Sequence, residues 1–151
     1  TLHTNDAPSA IGRLIDMGIE PFLVASSVNL ILAQRLVRKV CQNCKRQVEP
    51  HAEVLRELGL SVEEAAEYPW WEGGCVDCNN TGYKGRQGVY EVMVLSPSLR
   101  DLILDRASAT ALKRQALSEG MRSLRLDGLS KLKKGMTTAE EILKETAADN
   151  V

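Results

Sequence analysis

The sequence predicts an α+β protein in which helices come first, a cysteine-bearing ribbon follows and a small helical bundle ends the chain. Three observations support this prediction. Segments with helical periodicity and capping residues occupy both ends of the chain, two C-x-x-C pairs lie between them, and a run rich in β-branched and aromatic residues follows the second pair. The length of 151 residues and the hydrophobic content of 44% are sufficient for a hydrophobic core.

The first part of the chain predicts two helices. Asn5 and Asp6 can each cap a helix over about residues 7–17, and Pro8 is tolerated in its first turn. A longer helix is predicted over residues 21–40, "PFLVASSVNLILAQRLVRKV". Its first half is apolar on nearly every side, and its second half carries basic residues at helical spacings. We therefore expect this helix to be buried at one end against a sheet or a further domain.

Shorter elements are predicted for the rest of the chain. "HAEVLRELG" and "SVEEAAEY" are typical of small helices, the second opened by a capping box of Ser61 and Glu64. "RQGVYEVMVLS" has the composition of a strand. From Ser98 onward the segments "SLRDLILD", "ATALKRQALSEG", "SLRLDGLSKLKKG" and "TTAEEILKETA" predict helices, the last with a capping box of Thr138 and Glu141.

All four cysteines of the chain fall into two C-x-x-C pairs, Cys41 with Cys44 and Cys75 with Cys78. Such a turn directs two thiolates at one point, and two turns complete the tetrahedral ligand set that zinc prefers. The 30 residues between the pairs exceed the roughly 15 to 20 of a usual zinc ribbon, which inserted helices would explain. We predict a structural zinc site with no open position for water. Disulfides, a redox pair and four unrelated core cysteines are the alternatives, although structural disulfides are rare inside cells.

Other candidate residues are less distinctive. His3 lies in the polar stretch "TLHTND" ahead of the first helix, where such a loop either caps the helix or senses a phosphate. His51 is interpreted as an exposed residue at the start of a small helix. Trp70 and Trp71 are expected to pack in a region with little other apolar material.

Composition argues against several classes of partner and location. The net charge of -1 and the pI of about 6.1 give no general reason to expect nucleic acid or an anionic membrane. No apolar run approaches the roughly 20 residues that cross a bilayer, and the N-terminus does not resemble a signal peptide. We expect a cytoplasmic protein. Because the chain starts at Thr1, as if in the middle of a motif, we also expect a fragment.

The chain contains, in this order, the histidine box "TLHTND", the tetracysteine motif with its tail "GYKGRQG", and the closing stretch "GMTTAEE". These three motifs resemble the C-terminal third of the ATPases that power type II secretion and type IV pilus extension. The resemblance covers essentially the whole chain and points to the extension branch, because the retraction ATPases lack the cysteine motif. It implies the C-terminal edge of a RecA-like P-loop ATPase core over residues 1–40, a zinc-ribbon-like tetracysteine module over 41–95, and a helical C-terminal domain over 96–151.

The resemblance also implies a function for the whole parent protein. The family forms homohexamers that hydrolyse ATP with Mg²⁺ and move an inner-membrane platform protein, to which they bind from the cytoplasm. By this resemblance His3 would report on the γ-phosphate, and Arg86 would lie near the bound nucleotide unless it is simply a surface residue of the strand. Cys41, Cys44, Cys75 and Cys78 would bind Zn²⁺. The motifs serve secretion and pilus assembly alike.

The chain departs from the family pattern in lacking a nucleotide site. No G-x-x-x-x-G-K-[ST] sequence occurs in it, nor an apolar strand ending in acidic residues that would hold Mg²⁺. We therefore predict that ATP binds to N-terminal domains of the same parent chain and that this chain alone does not hydrolyse ATP. The alternative is a stand-alone zinc-ribbon adaptor that binds protein or nucleic acid, since five basic residues lie between Arg35 and Arg46. The near-neutral charge and the lack of interleaved aromatic residues oppose a nucleic-acid partner.

Overall fold

The structure, a computed structural model, describes residues 1–149 and combines helices with short sheets, which confirms the α+β prediction. In this part of the chain the helices are α1 (Ala7–Asp16), α2 (Pro21–Ser27), α3 (Ala52–Leu58), α4 (Val62–Ala65), α5 (Pro97–Leu104), α6 (Ala109–Ser118), α7 (Leu124–Lys133) and α8 (Ala139–Glu145). The strands are β1 (Leu30–Val40), β2 (Arg46–Gln47), β3 (Trp71–Glu72) and β4 (Tyr83–Val94), and a 3-10 helix covers Val76–Cys78. The predicted small helices, the predicted strand and the predicted C-terminal helices are all present.

The long helix predicted over residues 21–40 is wrong. Only Pro21–Ser27 is helical, and strand β1 begins at Leu30. Exposure along β1 has the two-residue period of a strand, because Leu30 and Leu32 are exposed while the residues next to them are more buried. Leucine, alanine, glutamine, arginine and lysine all favour helices in isolation, so pairing with β4 outweighs local propensity here.

The strands form two sheets of two strands each, β1 with β4 and β2 with β3. The Leu95 N–H donates to the Asn29 carbonyl at 3.0 Å, and the Cys41 N–H donates to the Gly82 carbonyl at 2.8 Å. The start of β1 thus lies beside the end of β4, and the end of β1 lies beside the start of β4. The two strands are therefore antiparallel. The pair β2 and β3 is antiparallel as well.

The chain forms two compact units. The first comprises residues 1–34 and 90–124 together with residue 149. Asp6 caps α1 as predicted, accepting the Ser9 N–H at 3.0 Å. Helices α1, α2, α5 and α6 pack around the end of β4. The buried core of this unit consists of Ala7, Ile11, Val24, Ala25, Met93, Leu95, Leu99, Ile103, Leu112 and Ala116.

A buried glutamate on β4 holds two helix starts in the first unit. The Glu91 residue is 1% exposed, and its carboxylate accepts the Ala7 N–H at 2.8 Å and the Leu124 N–H at 3.2 Å. These are the first residues of α1 and α7, whose N–H groups have no partner within the helix. Burial raises the pKa of Glu91, and the two N–H donors oppose that rise. In the sequence Glu91 looks like any polar residue of a half-exposed strand, so its burial was not predicted.

The second unit comprises residues 35–89 and 125–148. Helix α3 contacts α8 in it. The buried Arg125 ties three of its helices together, because its guanidinium donates to the Thr146 carbonyl at 2.7 Å and to the Glu57 carbonyl at 3.2 Å. Further buried side chains of this unit are Val37, Val40, Leu55, Leu58, Trp70, Leu132 and Ile142.

One predicted capping box is complete and the other is not. The Ser61 hydroxyl accepts the Glu64 N–H at 3.1 Å, and the Glu64 carboxylate accepts the Ser61 N–H at 2.8 Å. At α8 the Thr138 hydroxyl accepts the Glu141 N–H at 3.4 Å, but the Glu141 carboxylate binds Arg38 instead of returning to the cap. The prediction that the Glu141 side chain completes the second capping box is therefore wrong, because this buried carboxylate binds the distant Arg38 and not the Thr138 backbone N–H.

The two units do not follow the order of the chain. Each takes its residues from separate stretches, whereas the expected division is into consecutive segments over 1–40, 41–95 and 96–151. As a division by function, and as the edge of a RecA-like core, that expectation stays a prediction. None of the helices in residues 1–149 is long and apolar enough to span a bilayer.

Candidate metal centre

The four cysteines converge on one point of the second unit. Cys41 follows β1 directly, and Cys78 ends the 3-10 helix that Cys75 precedes. All four sulfur atoms lie within 4.8 Å of one another. The separations are 3.9 Å between Cys41 and Cys75, 3.8 Å between Cys44 and Cys78, and 3.7 Å between Cys75 and Cys78. Within residues 1–149 no other group of three or more cysteine, histidine or acidic side chains is close enough to hold a metal.

These separations fit a tetrahedral zinc site. A Zn–S bond of about 2.3 Å gives a regular tetrahedron an S–S edge of about 3.8 Å, close to the three sulfur separations above. None of the cysteines is joined to another in a disulfide. Helices α3 and α4 occupy the stretch between the two pairs, as predicted, and account for its length. The residues present therefore fit the metal that their spacing predicts.

Backbone N–H groups favour the thiolate form of Cys78. The N–H groups of Cys75 and Gly82 each donate to the Cys78 sulfur at 3.2 Å. Burial alone would raise the pKa of the Cys78 thiol, but these hydrogen bonds outweigh burial and lower the pKa to about 6. Burial and the neighbouring thiols raise the pKa of Cys44 to about 12. A bound cation would favour the thiolate form of all four cysteines, because the ligands of a metal must be deprotonated.

Two glycines allow the chain to wrap closely around the sulfurs. A Cβ atom on Gly73 would lie 2.8 Å from the Cys44 sulfur, and a Cβ atom on Gly82 would lie 2.6 Å from the Gly73 carbonyl oxygen. Gly82 also has a φ of 78°, which side chains disfavour. Only glycine satisfies these positions without a shift of the backbone, so both help to form the ligand cluster.

An exposed hydrogen bond links the two C-x-x-C turns. The Asn43 side-chain amide donates to the Asp77 carboxylate at 2.8 Å. These are the residues that immediately precede the second cysteine of each pair. The sequence gives no sign of this contact, since both side chains are ordinary turn residues.

The other predicted site residues do not join the cysteines. His3 is exposed ahead of α1 in the first unit, where the Thr4 hydroxyl donates to the Asp6 carbonyl at 3.1 Å in a capping loop. Arg86 is exposed on β4 in the second unit. His51 is exposed at the start of α3 and lies outside the sulfur cluster, as predicted. The roles of His3 at a γ-phosphate and of Arg86 near a nucleotide stay predictions.

Both tryptophans pack within the second unit, as predicted. Trp70 is 7% exposed, and its indole N–H donates to the Ala65 carbonyl at 3.0 Å. Trp71 lies on β3, and the Lys45 ammonium group is 4.7 Å from the centre of its ring. The tryptophans thus supply apolar surface to a region that has little of it.

The basic run that suggested a nucleic-acid partner is largely occupied. Arg38 binds Glu141, Lys45 lies over Trp71, and Arg46 binds Glu72 at 3.3 Å, so at least three of the five basic side chains in residues 35–46 have partners within the chain. A phosphate backbone would have to compete with these contacts. This weakens the alternative of an adaptor that binds nucleic acid.

Comparison with known proteins agrees with the motifs. Residues 1–144 match the family model described as type II/IV secretion system protein. The type IV pilus assembly ATPase PilB of Myxococcus xanthus is 48% identical over 151 residues, which are 99% of this chain and 27% of that protein. PilB of Thermus thermophilus is 48% identical over 147 residues, 97% of this chain and 16% of that protein.

A relative from the secretion side is similar to the same extent. The type II secretion system protein E of Aeromonas hydrophila is 43% identical over 150 residues, 99% of this chain and 29% of that protein. The chain thus spans less than a third of the length of these three relatives. Since the family model covers nearly all of it, the chain belongs to the type II/IV secretion system protein family.

Proposed function

We propose that this chain is the C-terminal part of a motor ATPase for type II secretion or type IV pilus assembly, and that its four cysteines hold a structural zinc ion. The names of the relatives support the motor, and the short share of their length that the chain spans supports its being one part of it. The observation that supports zinc most strongly is the clustering of the four sulfurs within 4.8 Å of one another, with three of the six separations, at 3.7 to 3.9 Å, fitting the edges of a ZnS₄ tetrahedron.

The proposed role of the metal is structural and not catalytic. When bound, Zn²⁺ would supply a crosslink between the two turns, because four cysteine ligands leave no position for water or substrate. Apparent binding free energies of about 10 kcal/mol or more are known for small zinc domains. Such a crosslink would stiffen sheets of only two strands, which are marginal by themselves. A stiff element of this kind suits a part that transmits movement.

An exposed apolar surface supports a larger ATPase core in the parent protein. Leu30 and Leu32 on β1 and Tyr90, Val92 and Val94 on β4, all in the first unit, are 40 to 63% exposed. Apolar strand residues at this exposure, on strands that pair only with each other, would normally be covered by further strands or helices. The rest of a RecA-like core would provide that cover.

In the parent we propose the family arrangement. A homohexamer at the cytoplasmic side of the inner membrane would bind ATP and Mg²⁺ through its preceding domains and would act on an inner-membrane platform protein. His3 would sense the γ-phosphate, and Arg86 would lie near the nucleotide. Both side chains are exposed, which is consistent with groups that act on a ligand held by another part of the parent.

Zinc content tests the metal site. We expect elemental analysis of the purified chain to find a single zinc ion per molecule and Cys78→Ser to reduce it strongly. His51→Asn serves as the control, because His51 is exposed and lies outside the cluster. A wild-type chain without zinc, or an undiminished zinc content in Cys78→Ser, would contradict the proposal.

Hydrolysis assays test the nucleotide roles. We expect no ATPase activity from this chain alone and a reduced rate from His3→Ala in the full-length parent, with His51→Ala unchanged. Arg86→Ala should raise the KM for ATP, while Lys84→Ala, an exposed basic residue of the same strand, should not. Equal rates for His3→Ala and His51→Ala would contradict the role of His3 at the γ-phosphate. An equal KM for ATP in Arg86→Ala and Lys84→Ala would contradict the role of Arg86 near the nucleotide.

A further inference from the structure

The stretch that precedes and opens α8, residues 136–141 and here called the closing segment, binds the chain just before the first cysteine. The Arg38 N–H donates to the Glu141 carboxylate at 2.7 Å, and the Thr137 hydroxyl donates to the Arg38 carbonyl at 2.8 Å. The Val40 N–H donates to a carbonyl of the segment at 3.0 Å. The polar backbone atoms that lead into the first C-x-x-C turn are therefore held by the closing segment.

The same segment holds the chain just after the last cysteine. The Thr138 and Tyr83 hydroxyls are hydrogen-bonded at 2.7 Å, and the Arg38 guanidinium lies 4.1 Å from the centre of the Tyr83 ring. The residue before Tyr83 is Gly82, whose N–H donates to the Cys78 sulfur. The chain just before the first cysteine and the chain just after the last cysteine are thus both bound to the closing segment.

Glu141 is the central contact of this arrangement. It is 3% exposed on its side chain, and its carboxylate accepts the Arg38 backbone N–H and two guanidinium N–H groups, at 2.7 to 2.9 Å. Burial opposes ionisation of this carboxyl, but the hydrogen bonds from Arg38 outweigh burial and lower its pKa below the usual value. One carboxylate oxygen accepts both guanidinium N–H groups and the other accepts the backbone N–H, so the carboxylate holds the side chain and the backbone of Arg38 together.

We propose that the closing segment positions the zinc ligands, with Glu141 acting through Arg38 on the first C-x-x-C turn and Thr138 acting through Tyr83 on the second. This inference rests on the zinc site proposed above and assigns it supporting residues in α8. Groups that orient metal ligands slow the loss of the metal, because the ligands remain in place when one bond opens. By linkage, the bound metal in turn stabilises the docking of α8.

The rate of zinc loss to a chromogenic chelator tests this inference. Loss of a group that orients metal ligands lowers metal affinity about 10- to 100-fold, and we expect Glu141→Gln to show the lower end of this range as about tenfold faster zinc release than the wild type. Glu140→Gln is the matched control, since it removes the same charge from the neighbouring, exposed position of α8. Tyr83→Phe is a milder variant that keeps the ring and removes only the hydroxyl, and it should accelerate release less.

A second control separates positioning from general stability. Thr146→Val removes the hydroxyl that accepts from Arg125 at 2.7 Å, at the opposite end of α8 and still within the second unit. All rates are compared at the same interval below each variant's melting temperature. The inference would be overturned, and the zinc site would stand, if Thr146→Val released zinc as fast as Glu141→Gln or if Glu141→Gln released it at the wild-type rate. A wild type that binds no zinc would overturn the zinc site and this inference together.

Discussion

Replacing Gly82 by alanine should damage the metal centre more than its backbone conformation alone predicts. Gly82 has a φ of 78°, and a Cβ atom there would lie 2.6 Å from the Gly73 carbonyl oxygen. Gly59, which ends α3 in the same unit, has a similar φ of 72° but no atom within 4 Å of the place for a Cβ. The two glycines share the strained conformation and differ in the close approach.

The difference between the two variants follows from these distances. A left-handed backbone costs an alanine about 1 to 2 kcal/mol, which applies to both positions. The overlap at Gly82 adds the cost of overpacking, about 1 to 3 kcal/mol, because the obstructing atom is backbone and cannot rotate away. We therefore expect Gly59→Ala to lose about 1 to 2 kcal/mol of unfolding free energy and Gly82→Ala about 2 to 5 kcal/mol.

Urea unfolding followed by circular dichroism measures both losses, in zinc-loaded protein and in reduced protein after chelation. The larger loss in Gly82→Ala should persist without metal, since it arises from contact with Gly73, and zinc release should be faster because the Gly82 N–H donates to the Cys78 sulfur. Equal losses in Gly82→Ala and Gly59→Ala would show that the close approach has no energetic weight and would refute the reasoning.

Three further predictions concern other parts of the chain. Glu91→Ala leaves the buried Ala7 and Leu124 N–H groups without their acceptor, at about 1 to 3 kcal/mol each, so urea unfolding should show a loss of roughly 2 to 6 kcal/mol, and a loss below about 1 kcal/mol would contradict this. A strong zinc chelator should shift the thermal transition seen by tryptophan fluorescence to lower temperature, because both tryptophans lie in the second unit; an unshifted transition would argue against structural zinc. The folded-state pKa of Glu141 lies below its unfolded value, so its contribution to stability is present above pH about 4.5 and is lost as the pH falls through the lowered pKa. In acid titrations of the melting temperature Glu141→Gln should lack this loss, and identical titration curves for the wild type and the variant would contradict it.

The cysteine cluster could be predicted because its signal is chemical and local. A C-x-x-C turn places two sulfurs by its own geometry, and two such turns supply the four thiolates of a structural zinc site. The capping residues Asp6 and Ser61 were predictable for the same reason, since each binds an N–H group three residues away. Interactions between residues within one turn of the chain can be predicted directly from their spacing in the sequence.

What the sequence did not predict depends on partners far along the chain. The residues of strand β1 favour a helix, and only its pairing with β4, some 50 residues later, makes it a strand. The spacing of Thr138 and Glu141 predicts a capping box, whereas the Glu141 carboxylate binds Arg38 across 103 residues. The buried Glu91 likewise serves Ala7 across 84 residues. No spacing rule connects such positions.

The tetracysteine motif and the closing segment therefore have a physical reason to occur in one chain. A two-stranded sheet is marginal in water, and the strands beside the cysteines belong to such sheets. Zinc would fix the tips of the ligand side chains but not the strands behind them, whereas Glu141 and Thr138 fix those strands but not the sulfurs. Each constraint removes freedom that the other leaves, so the proposed rigid element requires both, and a chain with cysteines but no acidic partner for Arg38 should bind zinc in a looser ribbon.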